Sequence, residues 1–439
     1  MNFKLTWFFL WMIAFSHYSL AVDKNDFSDL AEIEKVDSDE NSNIPVKEIE
    51  DQDFISRIGQ VLKLRRDNPD NFCAGPGMNY TDVIQRVVLQ LFSFQGGVGI
   101  QELSHRDEGG AVQNLIVETK QRVKKVLNVP DNYEVLFMTG GAHFQFDTIP
   151  INLLKSSKQA DYVDSGFWSK RAKSHLDKLN YDGRLVDVLS QDPKTGLISL
   201  KPEKEWSLSP EASYVHICDN ETTDGIQYRY DPKLVDSDKR PLVTDATSSL
   251  LSRRMQIENY GIIYASGGKN LGPAGVTLVI IRSDLLEKAD GVGYTQEYKN
   301  YADYGNLYNT PDIISITFLN ETLKTVEKQG LEAIEKRAIT RSSKVYSIID
   351  SSQGFYINKV DPKWRSTTSI PFTIRERELE LKFVKEAEAA GFRQVKGHHS
   401  VGGLRVSLYN PIPDEAVERF SQFLKKFQQN YDSSNKNLS

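Results

Sequence analysis

Short apolar runs at residues 135–138, 213–217, 261–265 and 275–281, separated by amphipathic stretches, constrain this chain more than any other feature. A strand with one wet face alternates apolar and polar residues, whereas a run that stays apolar is buried on both faces. Runs of that kind between helical stretches predict a mostly parallel sheet covered by helices. Gly140 and Gly141 form a turn after the first run, and a helical pattern follows to Leu154. Beyond Asp312 the pattern turns more helical. From Pro371 it reads strand 371–374, helix 376–390, strand 404–409 and helix 413–427, a smaller α+β unit. The expected fold is therefore α/β, a large domain over 54–325 plus a smaller C-terminal α+β domain over 326–430, with a disordered tail at 431–439. Residues 71–80 are expected to reach the large domain's site. At 439 residues and 39% hydrophobic content the chain is long enough for such an arrangement.

The ends read differently. Lys4 precedes an apolar run over 5–15, and Ser19-Leu20-Ala21 offers small residues for cleavage, so residues 1–21 are expected to be a signal peptide. The run is well short of the ~20 residues that span a bilayer. Residues 22–53 are crowded with Asp, Glu, Ser and Asn and predict a disordered acidic linker. This leader points to the secretory pathway or the extracellular space, and to the cytoplasm if it is not used; no membrane association is expected once it is removed. A net charge of −6 supplies no basic footprint for nucleic acid. Cys73 and Cys218 are too few and too distant for a disulfide framework. Of the seven histidines only His398 and His399 are adjacent, and on a strand those two would point apart, so no metal site is expected. Four formal glycosylation acceptors, at Asn79, Asn220, Asn320 and Asn437, are read as chance matches.

The segment Ser266-Gly267-Gly268-Lys269-Asn270-Leu271-Gly272-Pro273-Ala274-Gly275 places a lysine in a glycine-rich turn between two apolar runs. Glycines let the backbone approach a bound group, and a desolvated lysine is a competent imine-forming nucleophile. Taken alone, such a lysine is more often a solvated surface residue. Asp245 ends the run Pro241-Leu242-Val243-Thr244, where a carboxylate can hold a cofactor's pyridinium nitrogen protonated or simply cap the turn at Thr247. Trp168 follows another short strand and can lie on an aromatic ring or serve as core. Thr139-Gly140-Gly141-Ala142-His143 joins a strand to a helix, and free amides at a helix start cradle phosphate.

These features follow one another as in fold-type I pyridoxal-phosphate enzymes, and the chain resembles the phosphoserine aminotransferase family. The likeness rests on Asn71-Phe72-Cys73-Ala74-Gly75-Pro76-Gly77-Met78, Ser104-His105-Arg106, Asn220-Glu221-Thr222, the lysine loop, Tyr308-Asn309-Thr310-Pro311, Gly397-His398 and Gly402-Gly403-Leu404-Arg405. It covers nearly the whole folded part. The resemblance implies a pyridoxal 5'-phosphate domain in which Lys269 is the Schiff-base lysine and general base. It further implies that Asp245 pairs with the pyridinium nitrogen, Trp168 stacks on the ring and Thr222 bonds its 3-hydroxyl, while Ala142 and His143 sit at the cofactor phosphate. Asn309 and Thr310 match residues that reach the neighbouring subunit's cofactor, which implies a homodimer with shared active sites. Arg405 matches the grip on the substrate α-carboxylate. His105, Arg106 and His398 match the pocket for the substrate phosphate or the distal carboxylate of glutamate. The implied substrates are L-glutamate and 3-phosphohydroxypyruvate.

Three departures stand out. Gly268 occupies the place of a Gln that bonds the cofactor phosphate. His399 replaces an arginine of the substrate-phosphate grip, and an imidazole is only partly charged at neutral pH. His143 stands where bacterial members often carry Arg. Two other readings follow from them: an aminotransferase for an unphosphorylated 2-oxo acid, or a catalytically lapsed secreted homologue.

Overall fold

The computed structural model describes residues 70–154, 159–289 and 293–432. The expected leader and acidic linker, and residues 433–439 of the expected tail, lie outside the described residues.

Two helices, α1 (Thr81–Phe92) and α2 (Ala111–Leu127), precede β1 (Tyr133–Met138), α3 (Gly141–Leu153), β2 (Gln159–Asp164), α4 (Phe167–Lys178) and β3 (Asp182–Asp187). Next come β4 (Val215–Cys218), β5 (Leu242–Asp245), β6 (Ile262–Ser266) and β7 (Thr277–Arg282). These seven strands form one sheet in the order β1-β7-β6-β5-β4-β2-β3. All neighbours are parallel except at β7, which runs antiparallel to both β6 and β1. The apolar-run reading leads to a mostly parallel sheet and misses this one reversal. The cause is local: β6 and β7 flank the lysine loop and pair directly, Ser266 opposite Thr277, as the two arms of a long hairpin.

Both faces of the sheet's central strands are covered, which is why those strands stay apolar, while the edge strand β3 is mostly exposed. Along β6, Ile263 and Ala265 pack into one hydrophobic cluster and Ile262 and Tyr264 into another. The period of two along a strand sends neighbours to opposite faces, and both faces here are dry. Burial of each isoleucine contributes roughly 1.5–3 kcal/mol.

After the sheet run α5 (Ile313–Gln329) and α6 (Leu331–Ser351), then β8 (Tyr356–Ile357), β9 (Ser369–Ile374), α7 (Leu379–Ala389), β10 (Leu404–Ser407) and α8 (Asp414–Tyr431). β8, β9 and β10 form a three-stranded antiparallel sheet around its own core, to which Phe72 near the start of the described chain also belongs. α5 runs through position 325, and Ile334 of α6 still packs into the first core, while Val345 packs into the second. α8 reaches Tyr431, the position at which the tail was expected to begin, because Tyr431 Oη donates to Glu386 and its ring packs on Phe427. Among the described residues no helix is long and apolar enough to cross a membrane. Asn220 and Asn320 are 1% and 2% exposed, which closes those two acceptors to an oligosaccharide.

Candidate active site

Three neighbouring parallel strands end at one place: β4 at Cys218, β5 at Asp245 and β6 at Ser266. Ligands of open α/β sheets bind beyond the carboxyl ends of the strands. A cavity of about 380 Å³ lies there, and Lys269, Asp245, Trp168, Thr222, His398 and Arg405 all line it. Ala142 and His143 line it as well, from the first turn of α3. The lysine and carboxylate that the sequence separates by a whole strand thus meet across a single cavity.

The lysine loop is held by its own backbone. Gly267 N donates to Val276 O, and Gly268 N to Gly272 O at 2.7 Å, with Gly268 at φ +99°, a conformation L side chains rarely adopt. Gly77 N donates to Gly268 O, which brings residues 74–77 against the loop; a methyl group on Gly75 would lie 3.9 Å from Lys269 Cε. Burial pushes the pKa of the Lys269 amine below its ordinary value, and the Asp245 carboxylate opposes that shift. The neutral amine is the form that attacks a carbonyl carbon and accepts a proton, and lowered basicity favours it.

Asp245 is 6% exposed, and burial raises its pKa against the opposing effects of Thr247, Lys269 and His143. Its Oδ1 accepts from Thr247 N at 2.9 Å, so one side chain both caps the turn and lines the cavity. A carboxylate buried in this way is stabilised by a cation brought next to it. On the far side Trp168 Nε1 donates to Thr222 Oγ1 at 2.8 Å, and Arg405 Nη1 donates to Thr222 O at 3.1 Å. Burial lowers the Arg405 pKa, and its electrostatic neighbours are the Tyr409 hydroxyl and the Cys73 thiol rather than a carboxylate. Arg405 is thus a desolvated guanidinium that lacks an acidic partner among the described residues, the state suited to receiving a ligand carboxylate.

These features answer to pyridoxal phosphate: an amine with lowered basicity, a buried carboxylate for a ring nitrogen, an indole edge, and helix-start amides for a phosphate. Gly141 N is already committed to Thr277 Oγ1, which leaves the amides of Ala142 and His143 to open the cradle. Burial holds the His143 pKa below its ordinary value, helped by His175 and Arg171 and opposed by Asp245 and Asp147.

Other expected residues are not brought to this cavity. Gly268 lies inside the loop turn and contributes backbone hydrogen bonds to it. Asn309 and Thr310 line a separate small pocket with Phe137 and Ile316. His105 and Arg106 stand in the turn before α2, with Arg106 exposed. His399 is exposed beside the cavity, while His398 lines it. The two rings do not point apart: they occupy a loop rather than a strand, and their centroids are 4.2 Å apart. Among the described residues, no group of three or more His, Cys, Asp or Glu side chains is arranged to hold a metal.

Cys218, Ser248 and Ser266 line the cavity without having been assigned a place there, and Ala74 and Gly75 line it from the segment 71–80. Cys218 and Ser266 end the strands beside Asp245, one residue past the apolar runs at 213–217 and 261–265, so the rule that locates Asp245 would have located them too. Arg405→Lys is expected to raise KM for glutamate by roughly 10- to 100-fold while leaving the absorbance of the bound cofactor unchanged, because one point charge replaces a bidentate fork.

The class-V aminotransferase family model matches residues 71–420. The chain is 40% identical over 366 residues to the phosphoserine aminotransferase of Hahella chejuensis, covering 82% of this chain and 98% of that one. It is 37% identical over 369 residues to the phosphoserine aminotransferase of Nitrosomonas europaea, with the same coverage. Among solved structures, the phosphoserine aminotransferase of Bacillus circulans subsp. alkalophilus superimposes with a TM-score of 0.77 at 37% identity, over 83% of this chain and 99% of that one. The pyridoxal-phosphate-bound enzyme of Trichomonas vaginalis gives 0.74 at 33% identity, over 81% and 99%. Family match, fold and the cavity at the strand ends lead to one conclusion: the chain belongs to the class-V aminotransferase family.

Proposed function

We propose that this chain is a phosphoserine aminotransferase that uses pyridoxal 5'-phosphate to move the amino group between L-glutamate and 3-phosphohydroxypyruvate, giving O-phospho-L-serine and 2-oxoglutarate. The observation that carries the proposal is the convergence of Lys269, Asp245, Trp168 and Arg405 on one cavity, in a chain 40% identical to a phosphoserine aminotransferase over 98% of its length.

When bound, pyridoxal phosphate supplies an aldehyde for covalent linkage to an amine and a ring that withdraws electrons from the neighbouring carbon. Lys269 Nζ would anchor it, and the same amine, once free, would take the proton from the substrate's α-carbon; its lowered basicity favours the neutral form. Asp245 would keep a proton on the ring nitrogen. Arg405 holds the α-carboxylate, and through its bond to Thr222 O it is oriented by the segment that also fixes the Trp168 indole.

A second copy of the chain belongs to the proposal. Asn309 and Thr310 stand outside their own cavity and match residues that serve a neighbour's, and His105 and Arg106 are likewise free to complete a partner's substrate pocket.

The test is a comparison of kcat/KM for phosphohydroxypyruvate, pyruvate and glyoxylate with glutamate as donor. The phosphorylated acceptor is expected to be preferred well beyond tenfold, and a preference of tenfold or less overturns the proposal. His399 supplies an imidazole where a permanent cation would grip a phosphate more firmly. His399→Arg is accordingly expected to lower KM for phosphohydroxypyruvate about tenfold, the value of one charge-assisted contact, as read from initial rates.

A further inference from the structure

The first turn of α4 carries Trp168, and its amides are capped from a distant part of the chain. Trp168 N donates to Glu221 Oε2 at 2.7 Å, Ser169 N to Glu221 Oε1 at 2.9 Å and Phe167 N to Asp224 Oδ2 at 2.9 Å. Ser165 Oγ adds a fourth bond, to Glu221 Oε1 at 3.2 Å. The fit is close: a methyl group on Gly166 would fall 2.5 Å from Asp224 Oδ2 and 2.9 Å from Glu221 Cδ. Glu221 is 0% exposed. Burial first, and the Asp224 charge second, push its pKa up; burial also raises that of Asp224. Two acids packed together in this way are costly to bury, and the amide bonds are what offset the cost.

The transamination chemistry above makes no use of either acid. Yet the segment that carries them meets the site at two further points, since Thr222 Oγ1 accepts from the Trp168 indole and Thr222 O accepts from Arg405. Trp168 is therefore held at its backbone by Glu221 and at its ring edge by the next residue along.

We propose that Glu221 is a positioning residue for the reaction, clamping the first turn of α4 so that the Trp168 indole is held against the cofactor ring. The carboxylate form suits this role because its two oxygens each accept a backbone amide. A glutamine in its place must turn an NH2 group toward one of those donors. The inference rests on pyridoxal phosphate occupying this cavity, and the absorbance of wild-type holoenzyme tests that point separately.

The experiment uses purified holoenzyme with Glu221→Gln, Glu221→Asp, Trp168→Phe and the Gln/Phe double variant. In Glu221→Gln, kcat is expected to fall about tenfold with KM for glutamate held within about threefold, the pattern of a misaligned reacting group rather than a lost binding contact. The circular dichroism of the visible cofactor band, which reports how the ring is held, should weaken in parallel. In the Trp168→Phe background the same substitution should cost under about threefold, because residues that act through one another are not additive. Glu221→Asp keeps the charge but withdraws it from one amide, and its kcat and dichroism should be intermediate. Wild-type kcat and dichroism in either Glu221 variant that folds overturns the inference, as does an equal loss in both Trp168 backgrounds. A wild-type protein without the visible band overturns the cofactor reading and this inference with it.

Discussion

Lys269→Ala is expected to lower kcat by at least about 10³-fold, since it removes the covalent anchor and, with it, a general base of the kind that contributes 10²–10⁴ on its own. The visible band of the lysine-linked cofactor should vanish in the same protein. The fold should survive. The loop is braced by Gly267 N to Val276 O, Gly268 N to Gly272 O and Asn270 Nδ2 to Leu250 O, and none of these bonds involves the Lys269 side chain. A thermal transition within a few degrees of wild type, together with lost turnover, separates a chemical defect from a folding one. Retention of more than about a tenth of the wild-type kcat contradicts the assignment of Lys269 as base.

Asp245→Asn is expected to cost about 10²–10³ in kcat, the scale of losing one preorganised charge in a water-excluded site. The substitution keeps the shape, and the amide oxygen can still accept from Thr247 N, so the turn after β5 should hold. What is lost is the negative charge. Without it a ring nitrogen in this buried position gives up its proton, and the ring withdraws electrons less strongly. Because burial already raises the Asp245 pKa, removing the carboxylate also removes a strained charge, and the apoprotein should be no less stable than wild type. Steady-state rates and apoprotein melting, measured together, check both halves of this expectation. Unchanged turnover in Asp245→Asn refutes the pairing with the ring.

Much of the architecture could be read along the chain because its signals are local. The runs ending at Met138, Ile217, Asp245 and Ala265 became β1, β4, β5 and β6 within a residue or two, since burial on both faces leaves a continuous apolar signature. The glycines of the lysine loop announced a tight backbone path, and Gly268 at φ +99° and Gly272 at φ +117° follow it. The antiparallel direction of β7 was not legible, because an apolar run has the same composition in either direction. His398 and His399 were expected to diverge on a strand, but a loop has no fixed period and their rings lie close together, tilted by 38°.

By itself the sequence determined the covered sheet, the loop that presents Lys269 and the carboxylate at the end of β5, each set by periodicity or turn chemistry within a few residues. Only the tertiary structure decided which ends meet. Strand order brings Cys218, Asp245 and Ser266 together, a crossing of the chain sets Glu221 beneath Trp168, and β10 of the second sheet delivers Arg405 to Thr222. Those contacts join residues far apart along the chain, and the free energy that selects them comes from burying whole elements against one another. No local pattern records that choice.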